Sequence, residues 1–178
     1  MPAFLSSLSL RHGYLLGFLS CVGLMAAAYS FEYFLFLDPC PLCMVQRLAT
    51  VLVGVGFLAA FFLHPKAGSQ PSWALRAALL FTLAAAIFGI WAAGHHIWIQ
   101  GLPPEDVPAC GPSFEHLMQT LPLTELLTIM LKGNGNCADI DWMFLGLSMP
   151  EWVRVWFVGF TAAIVFALVK TRPQQQAV

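Results

Sequence analysis

The sequence predicts an all-α integral membrane protein: a four-transmembrane-helix bundle with both termini cytoplasmic and a long periplasmic loop carrying short interfacial helices. Three observations predict it. Of 178 residues, 59% are hydrophobic and only 10% are charged, whereas soluble domains are about half apolar and about a quarter charged. Four stretches are long and apolar enough to cross a hydrocarbon core, which takes about 20 residues of helix. No period-2 alternation suggests a barrel. The size suits one compact unit, so residues 1–178 read as a single membrane domain. A net charge of −1 argues against a nucleic-acid partner, because phosphate binding needs clustered Lys and Arg.

The first span covers about 13–36. Arg11, an apolar run and the small residues "MAAAYS" resemble a cleavable signal, but the apolar run continues through "FEYFLFL", beyond the roughly 7–15 residues of a signal's apolar region. The second span covers about 44–63, the third about 77–99 and the fourth about 150–169, each rich in Leu, Ala, Phe and Val. Arg11, Lys66, Arg76, Lys170 and Arg172 fall at the N-terminus, the 64–76 connection and the C-terminus. Four spans put these places on one side, which the positive-inside rule makes cytoplasmic. All nine acidic residues lie toward the other side.

The outer side then holds the 37–43 turn and a loop of about 100–149. In a bacterial inner membrane that side is the periplasm, where disulfides persist. "GLPPEDVPACGP" is too rich in Pro and Gly for regular structure. Residues 114–131 carry apolar residues at roughly helical spacing, broken or kinked by Pro122, and read as one or two short helices on the membrane surface. "WMFLGLSMPEW" suits the interface before the last span.

The chemistry-bearing residues sit on this outer side. Cys40 and Cys43 occupy the turn, Cys110 and Cys137 the long loop, and Cys21 is mid-span, a packing residue that apolar surroundings leave inert. A structural zinc usually takes four ligands in two close pairs, but Cys110 and Cys137 are 27 positions apart with no second C-x-x-C. A c-type haem needs His after the second Cys, and Met44 is there. Neither metal nor haem is expected.

A redox reading has physical support. Pro41 favours the first turn of a helix and biases Cys40 away from helical geometry, so the second helix starts near Cys40. Cys43 lies in its first turn, where free N–H groups stabilise a thiolate, and Arg47 follows one turn later on the same face. A cation there either meets a polar acceptor, such as the carbonyl of a lipid-soluble quinone, or snorkels or pairs with Glu32. His95 and His96, at a similar depth in the third span, either hydrogen-bond across helices or donate to a reduced quinone oxygen. His12, His64 and His116 read as solvated, and Arg154 as paired with Glu151 or snorkelling. Cys110 and Cys137 either staple the loop or exchange in series with the first pair.

"PCPLCMVQR", the two loop cysteines and "GNCADIDWMFLGLSMPEW" resemble the DsbB family of bacterial inner-membrane disulfide-bond formation proteins, in order and spacing over nearly the whole chain. The resemblance implies a bundle that reoxidises the periplasmic dithiol oxidase DsbA and passes electrons to a membrane quinone, ubiquinone or menaquinone. It implies that Cys110 takes the attack of DsbA's thiol, that Cys137 is its loop partner and exchanges with Cys40, and that Cys43 faces the quinone beside Arg47 and His96. Gln46 departs from relatives with an acid before the Arg. Two other readings stand beside it: a vitamin-K-epoxide-reductase-like enzyme, although there the loop pair precedes the C-x-x-C, and a non-catalytic membrane component with a stapled loop.

Overall fold

The computed structural model describes residues 2–65, 71–111 and 114–171. Lys66 and Arg172, two of the basic residues behind the orientation, lie outside the described residues, as does the side chain of Glu115. In chain order the elements are α1 (Pro2–Leu35), α2 (Pro41–Leu63), α3 (Trp73–Gln100), α4 (Phe114–Thr120), α5 (Leu123–Lys132), a 3₁₀ turn Gly135–Cys137, a hairpin of β1 (Met143–Phe144) and β2 (Leu147–Ser148), and α6 (Met149–Lys170). Among the described residues, four helices are long and apolar enough to cross a membrane: Leu10–Leu35 of α1, α2, α3 and α6. They run past the expected spans because the hydrocarbon rule measures only the lipid-facing part of a helix.

α2 packs between α1 and α3, and α3 packs in turn on α6. Between helices in lipid, apolar burial gives little drive, so close backbone approach and dispersion hold the bundle. Two glycines permit that approach. A Cβ on Gly56 would lie 2.0 Å from Thr82 Oγ1, and one on Gly89 would lie 2.4 Å from the Phe157 ring. Phe157 in turn packs edge-on to Phe160, and Phe160 to Phe57, within one core that also takes Tyr14 and Cys21. Hydroxyls inside the spans donate back one turn, as Thr50 does to Gln46 O at 2.8 Å and Thr82 to Ala78 O at 2.7 Å, so no water is needed there.

Local sequence explains each helix entry at the cysteine-bearing end of the bundle. Cys40 is the N-cap of α2 (φ −69°, ψ 162°) with Pro41 at the first helical position, as the fixed φ of Pro favours. At α6, Glu151 accepts a bond from Ser148 N–H at 2.6 Å. Glu151 is thus a cap, and Arg154 is exposed rather than held by a neighbouring acid as one reading supposed. Pro122 separates α4 from α5, as expected from its missing N–H. His64 does not behave as a solvated residue, since its ring packs edge-on to Tyr14 at 5.7 Å.

The hairpin was not anticipated. Leu145 (φ 52°) and Gly146 (φ 81°) make its two-residue turn, and positive φ at both central positions is the geometry whose twist matches paired strands. Trp142 packs on Phe31 of α1, and Trp152 Nε1 donates to Phe144 O at 3.0 Å. The aromatic residues read as interfacial therefore also clamp the hairpin between α1 and α6.

Candidate functional site

At the N-terminal end of α2 a second, smaller cluster joins Cys40, Leu42, Ile99 and Cys137. Gly133 makes the cluster possible. Its φ of +73° suits glycine, and a Cβ there would lie 2.8 Å from Ile99 and 2.9 Å from Leu42. The chain leaving α5 can therefore press down on α2 and α3 and turn at once into the 3₁₀ segment that ends on Cys137.

The sulfurs converge as a result. Cys40 Sγ is 2.7 Å from Cys43 Sγ and 3.8 Å from His96 Nε2, and Cys40, His96 and Cys137 have their ligand-type atoms within 4.8 Å of one another, all three residues buried. The first N–H groups of α2 point at this cluster: Cys43 N–H donates to Cys40 Sγ at 3.3 Å, and the Leu42 N–H serves Cys137. Those donors leave along the helix axis, so they reach Cys40 and Cys137, whereas the expectation aimed them at Cys43.

The cluster separates charge. Cys137 is lowered from its ordinary value to about 6, chiefly by the hydrogen bond from the Cys40 thiol and also by the Asn134 and Leu42 N–H groups, against burial. Cys40 is pushed well above the ordinary thiol range, first by donating to Cys137, then by Cys43 and by burial. The proton rests on Cys40 and the negative charge on Cys137, which makes Cys137 the nucleophile of the pair.

Cys110 is exposed yet tethered beside this turn. Gly135 N–H donates to Ala109 O and Asn136 Nδ2 to Gly111 O, each at 3.2 Å. A Cβ on Gly135 would lie 2.4 Å from Pro108 O and 2.9 Å from Cys110 Sγ. Only a glycine lets the two loop segments lie this close.

Beside Cys43 lies a cavity of about 120 Å³, bordered by loop residues Asp38, Asn136, Asp139 and Asp141 as well as by the spans. Leu24, Met25, Ala28 and Phe31 of α1 give it an apolar wall, and Cys43, Gln46, Arg47 and His96 give it polar edges. Arg47 pairs with Glu32 at 2.5 Å and also donates to Ala28 O at 3.3 Å, so the Glu32 reading holds while the guanidinium still borders the cavity. The two histidines diverge. His96 is buried with Nδ1 held by the Gln46 amide at 3.0 Å. His95 stacks between Trp91 and Trp98 and bonds Lys132 O at 3.0 Å, tying down the end of α5.

The donor chemistry at the cavity's edge suits a carbonyl-bearing group: the guanidinium has five N–H donors, of which three are engaged by Glu32, Met44 and Ala28. Sequence reasoning missed Gln46 as the partner of His96, Asn134 and Gly135 at the loop crossing, and Glu32 as a cavity wall. The run "GNGNC" was a turn signal for the second and third, whereas nothing local signalled the first.

Four spanning helices and sulfurs meeting at one helix mouth define a multi-pass membrane protein of thiol–disulfide exchange. The sequence profile of the family "Disulfide bond formation protein DsbB" matches residues 10–167. Disulfide bond formation protein B of Hahella chejuensis is 44% identical over 174 residues, 98% of this chain and 100% of the relative. That of Methylococcus capsulatus is 46% identical over 154 residues, 86% and 91% respectively, and that of Xanthomonas axonopodis pv. citri is 40% identical over 164, 92% and 93%. The chain belongs to the DsbB family, and it is a thiol:disulfide oxidoreductase of disulfide bond formation.

Proposed function

We propose that this protein oxidises a DsbA-like periplasmic dithiol and passes the electron pair through Cys110/Cys137 and Cys40/Cys43 to a membrane quinone, ubiquinone or menaquinone. The observation that carries the reading is the approach of Cys137 to Cys40 at the mouth of α2, with Cys110 exposed on one side and the cavity beyond Cys43 on the other. Thiol chemistry arrives from water, and the acceptor arrives through lipid.

In the first exchange the partner's thiolate attacks Cys110 of a Cys110–Cys137 disulfide, and Cys137 leaves as thiolate. The partner's second thiol resolves the mixed disulfide and frees Cys110. Cys137 then attacks Cys40 of a Cys40–Cys43 disulfide, and Cys43 leaves as thiolate toward the cavity. Cys110 attacks Cys137 in turn, restoring the loop disulfide and releasing Cys40. A bound quinone supplies the two-electron, two-proton sink. Arg47 holds a carbonyl-bearing ring from the α1 side, and His96, 3.8 Å from Cys40 Sγ, holds or moves a proton there. DsbA-type disulfides are strong oxidants, near about −120 mV, so the sink must be stronger still.

The orientation belongs to the same reading. Arg11, Arg76 and Lys170 lie at the ends of the bundle away from the cysteines, which supports cytoplasmic termini, periplasmic cysteines and the bacterial inner membrane. Residues 1–178 then act as one membrane domain.

Purified protein mixed with reduced DsbA and a soluble quinone is expected to consume quinone, and Cys43→Ala or Cys110→Ala to abolish turnover. Full turnover in both variants would overturn the relay. Arg47→Ala is expected to raise the KM for quinone more than that for DsbA; an unchanged quinone KM returns Arg47 to a purely structural pair with Glu32.

A further inference from the structure

Zinc was not expected from spacing, because Cys110 and Cys137 are 27 positions apart with no second C-x-x-C. The fold supplies what the spacing lacks. Cys40, Cys137 and His96 come from the mouth of α2, the end of a loop and α3, and their Sγ, Sγ and Nε2 atoms lie within 4.8 Å of one another. We propose that the fully reduced protein binds one thiophilic d¹⁰ cation, zinc above all, through Cys40, Cys137 and His96, with Cys43 as the fourth ligand, and that this capture arrests thiol exchange.

The geometry is close to what such an ion requires. With Zn–S about 2.3 Å and Zn–N about 2.0–2.1 Å, the donors of a tetrahedral site stand roughly 3.5–3.8 Å apart. Cys40 Sγ and His96 Nε2 are already 3.8 Å apart, and the widest separation needs to contract by no more than about 1 Å. Cys43 Sγ is 2.7 Å from Cys40 Sγ and outside the group whose donor atoms all lie within 4.8 Å of one another, so it completes the set by moving toward Cys137 and His96. Three cysteines and one histidine form a closed tetrahedral set.

The surroundings resemble those of a metal ligand too. A metal-bound His usually has its second ring nitrogen held by a protein acceptor, and His96 Nδ1 is held by the side-chain amide of Gln46 at 3.0 Å. The amide can present its oxygen to an Nδ1–H by turning over within the same shape. Cys40, Cys137 and His96 are buried, which excludes competing water. On binding, the thiol protons pass to solvent and no electrons move.

Capture depends on redox state. A Cys40–Cys43 or Cys40–Cys137 disulfide removes two ligands, and a Cys110–Cys137 disulfide removes one. The site is complete only when Cys40, Cys43 and Cys137 are all reduced, the state that builds up when electrons have no acceptor. This clause alone rests on the relay; the ligand set rests on the positions of the side chains.

The test uses the full chain in detergent, reduced, freed of reductant without air and titrated with Co²⁺. Thiolate-to-cobalt charge-transfer absorption is expected to saturate at one equivalent, and one equivalent of Zn²⁺ to bleach it. His96→Ala and Cys137→Ala are expected to weaken zinc at least tenfold, and Gln46→Ala by about 10–100-fold as for other outer-shell partners. Cys110→Ala should bind undiminished, and zinc should slow alkylation of Cys40 and Cys137 but not of Cys110. Equal cobalt spectra in the disulfide-oxidised protein, unchanged affinity in both His96→Ala and Cys137→Ala, or loss of binding in Cys110→Ala would each overturn the site. Turnover that survives while zinc fails to bind overturns only the metal site, and loss of turnover without zinc overturns only the relay.

Discussion

The two ends of the loop pair are built in opposite ways. Cys137 is fully buried, pressed onto α2 and α3 by Gly133 and served by backbone N–H groups. Cys110 is exposed on a Pro-rich stretch, held near that turn by hydrogen bonds to Ala109 O and Gly111 O. A rigid mount suits a nucleophile that must meet one partner inside the same chain, since misplacement by about 1 Å costs on the order of 100-fold in rate. An exposed thiol suits a partner that arrives from another chain.

The largest way to break this contrast is to wedge the two ends apart. Gly135→Ala puts a methyl 2.4 Å from Pro108 O, where backbone must move, and is expected to lower turnover with reduced DsbA by about 100-fold. Thiol exchange between Cys137 and the α2 pair, followed by trapping mixed disulfides, should change far less. Equal losses in both assays would mean that the two ends are one rigid unit.

A smaller effect sharpens the buried end. In the fully reduced protein Cys137 is expected to be a thiolate above about pH 6, so its alkylation should fall about tenfold per unit as pH drops below that point. Cys40→Ala removes the bond that contributes most to the shift. The titration should then move upward, toward the ordinary thiol value of about 8.5. A midpoint that stays near 6 would assign the stabilisation to the Asn134 and Leu42 N–H groups instead.

The smallest effect belongs to His95. His95→Ala removes the bond to Lys132 O, worth about 0.5–1.5 kcal/mol, so amide exchange in α5 should quicken by up to about tenfold, while the Cys137 titration should rise only slightly, because the His95 charge is the least of the causes that lower it. A titration that rises as far as in Cys40→Ala would show that the tether at α5 also positions the sulfur.

Much of this was legible along the chain because it is local. The four spans follow from apolar run length, and the start of α2 at Cys40 follows from Pro41. The break at Pro122 follows from a missing N–H, and the Arg47–Glu32 pair was one of two readings that Arg47 left open. The hairpin escaped because its strands are two residues long, too short for alternation to register. The aim of the Leu42 N–H escaped because its acceptor, Cys137, is almost a hundred residues away.

Composition and spacing alone specify a four-span membrane protein carrying a dithiol at a helix mouth, since bilayer thickness and proline geometry act on neighbouring residues. They do not choose between His95 and His96. Adjacent residues on a helix point about 100° apart, so the rotation of α3 about its own axis decides which ring enters the core. Contacts between helices set that rotation, among them Gly89 against Phe157, two turns from His96 on the same face. Packing across the bundle, which no single stretch encodes, therefore brings His96 and Cys137 to Cys40 and leaves His95 and Cys110 outside.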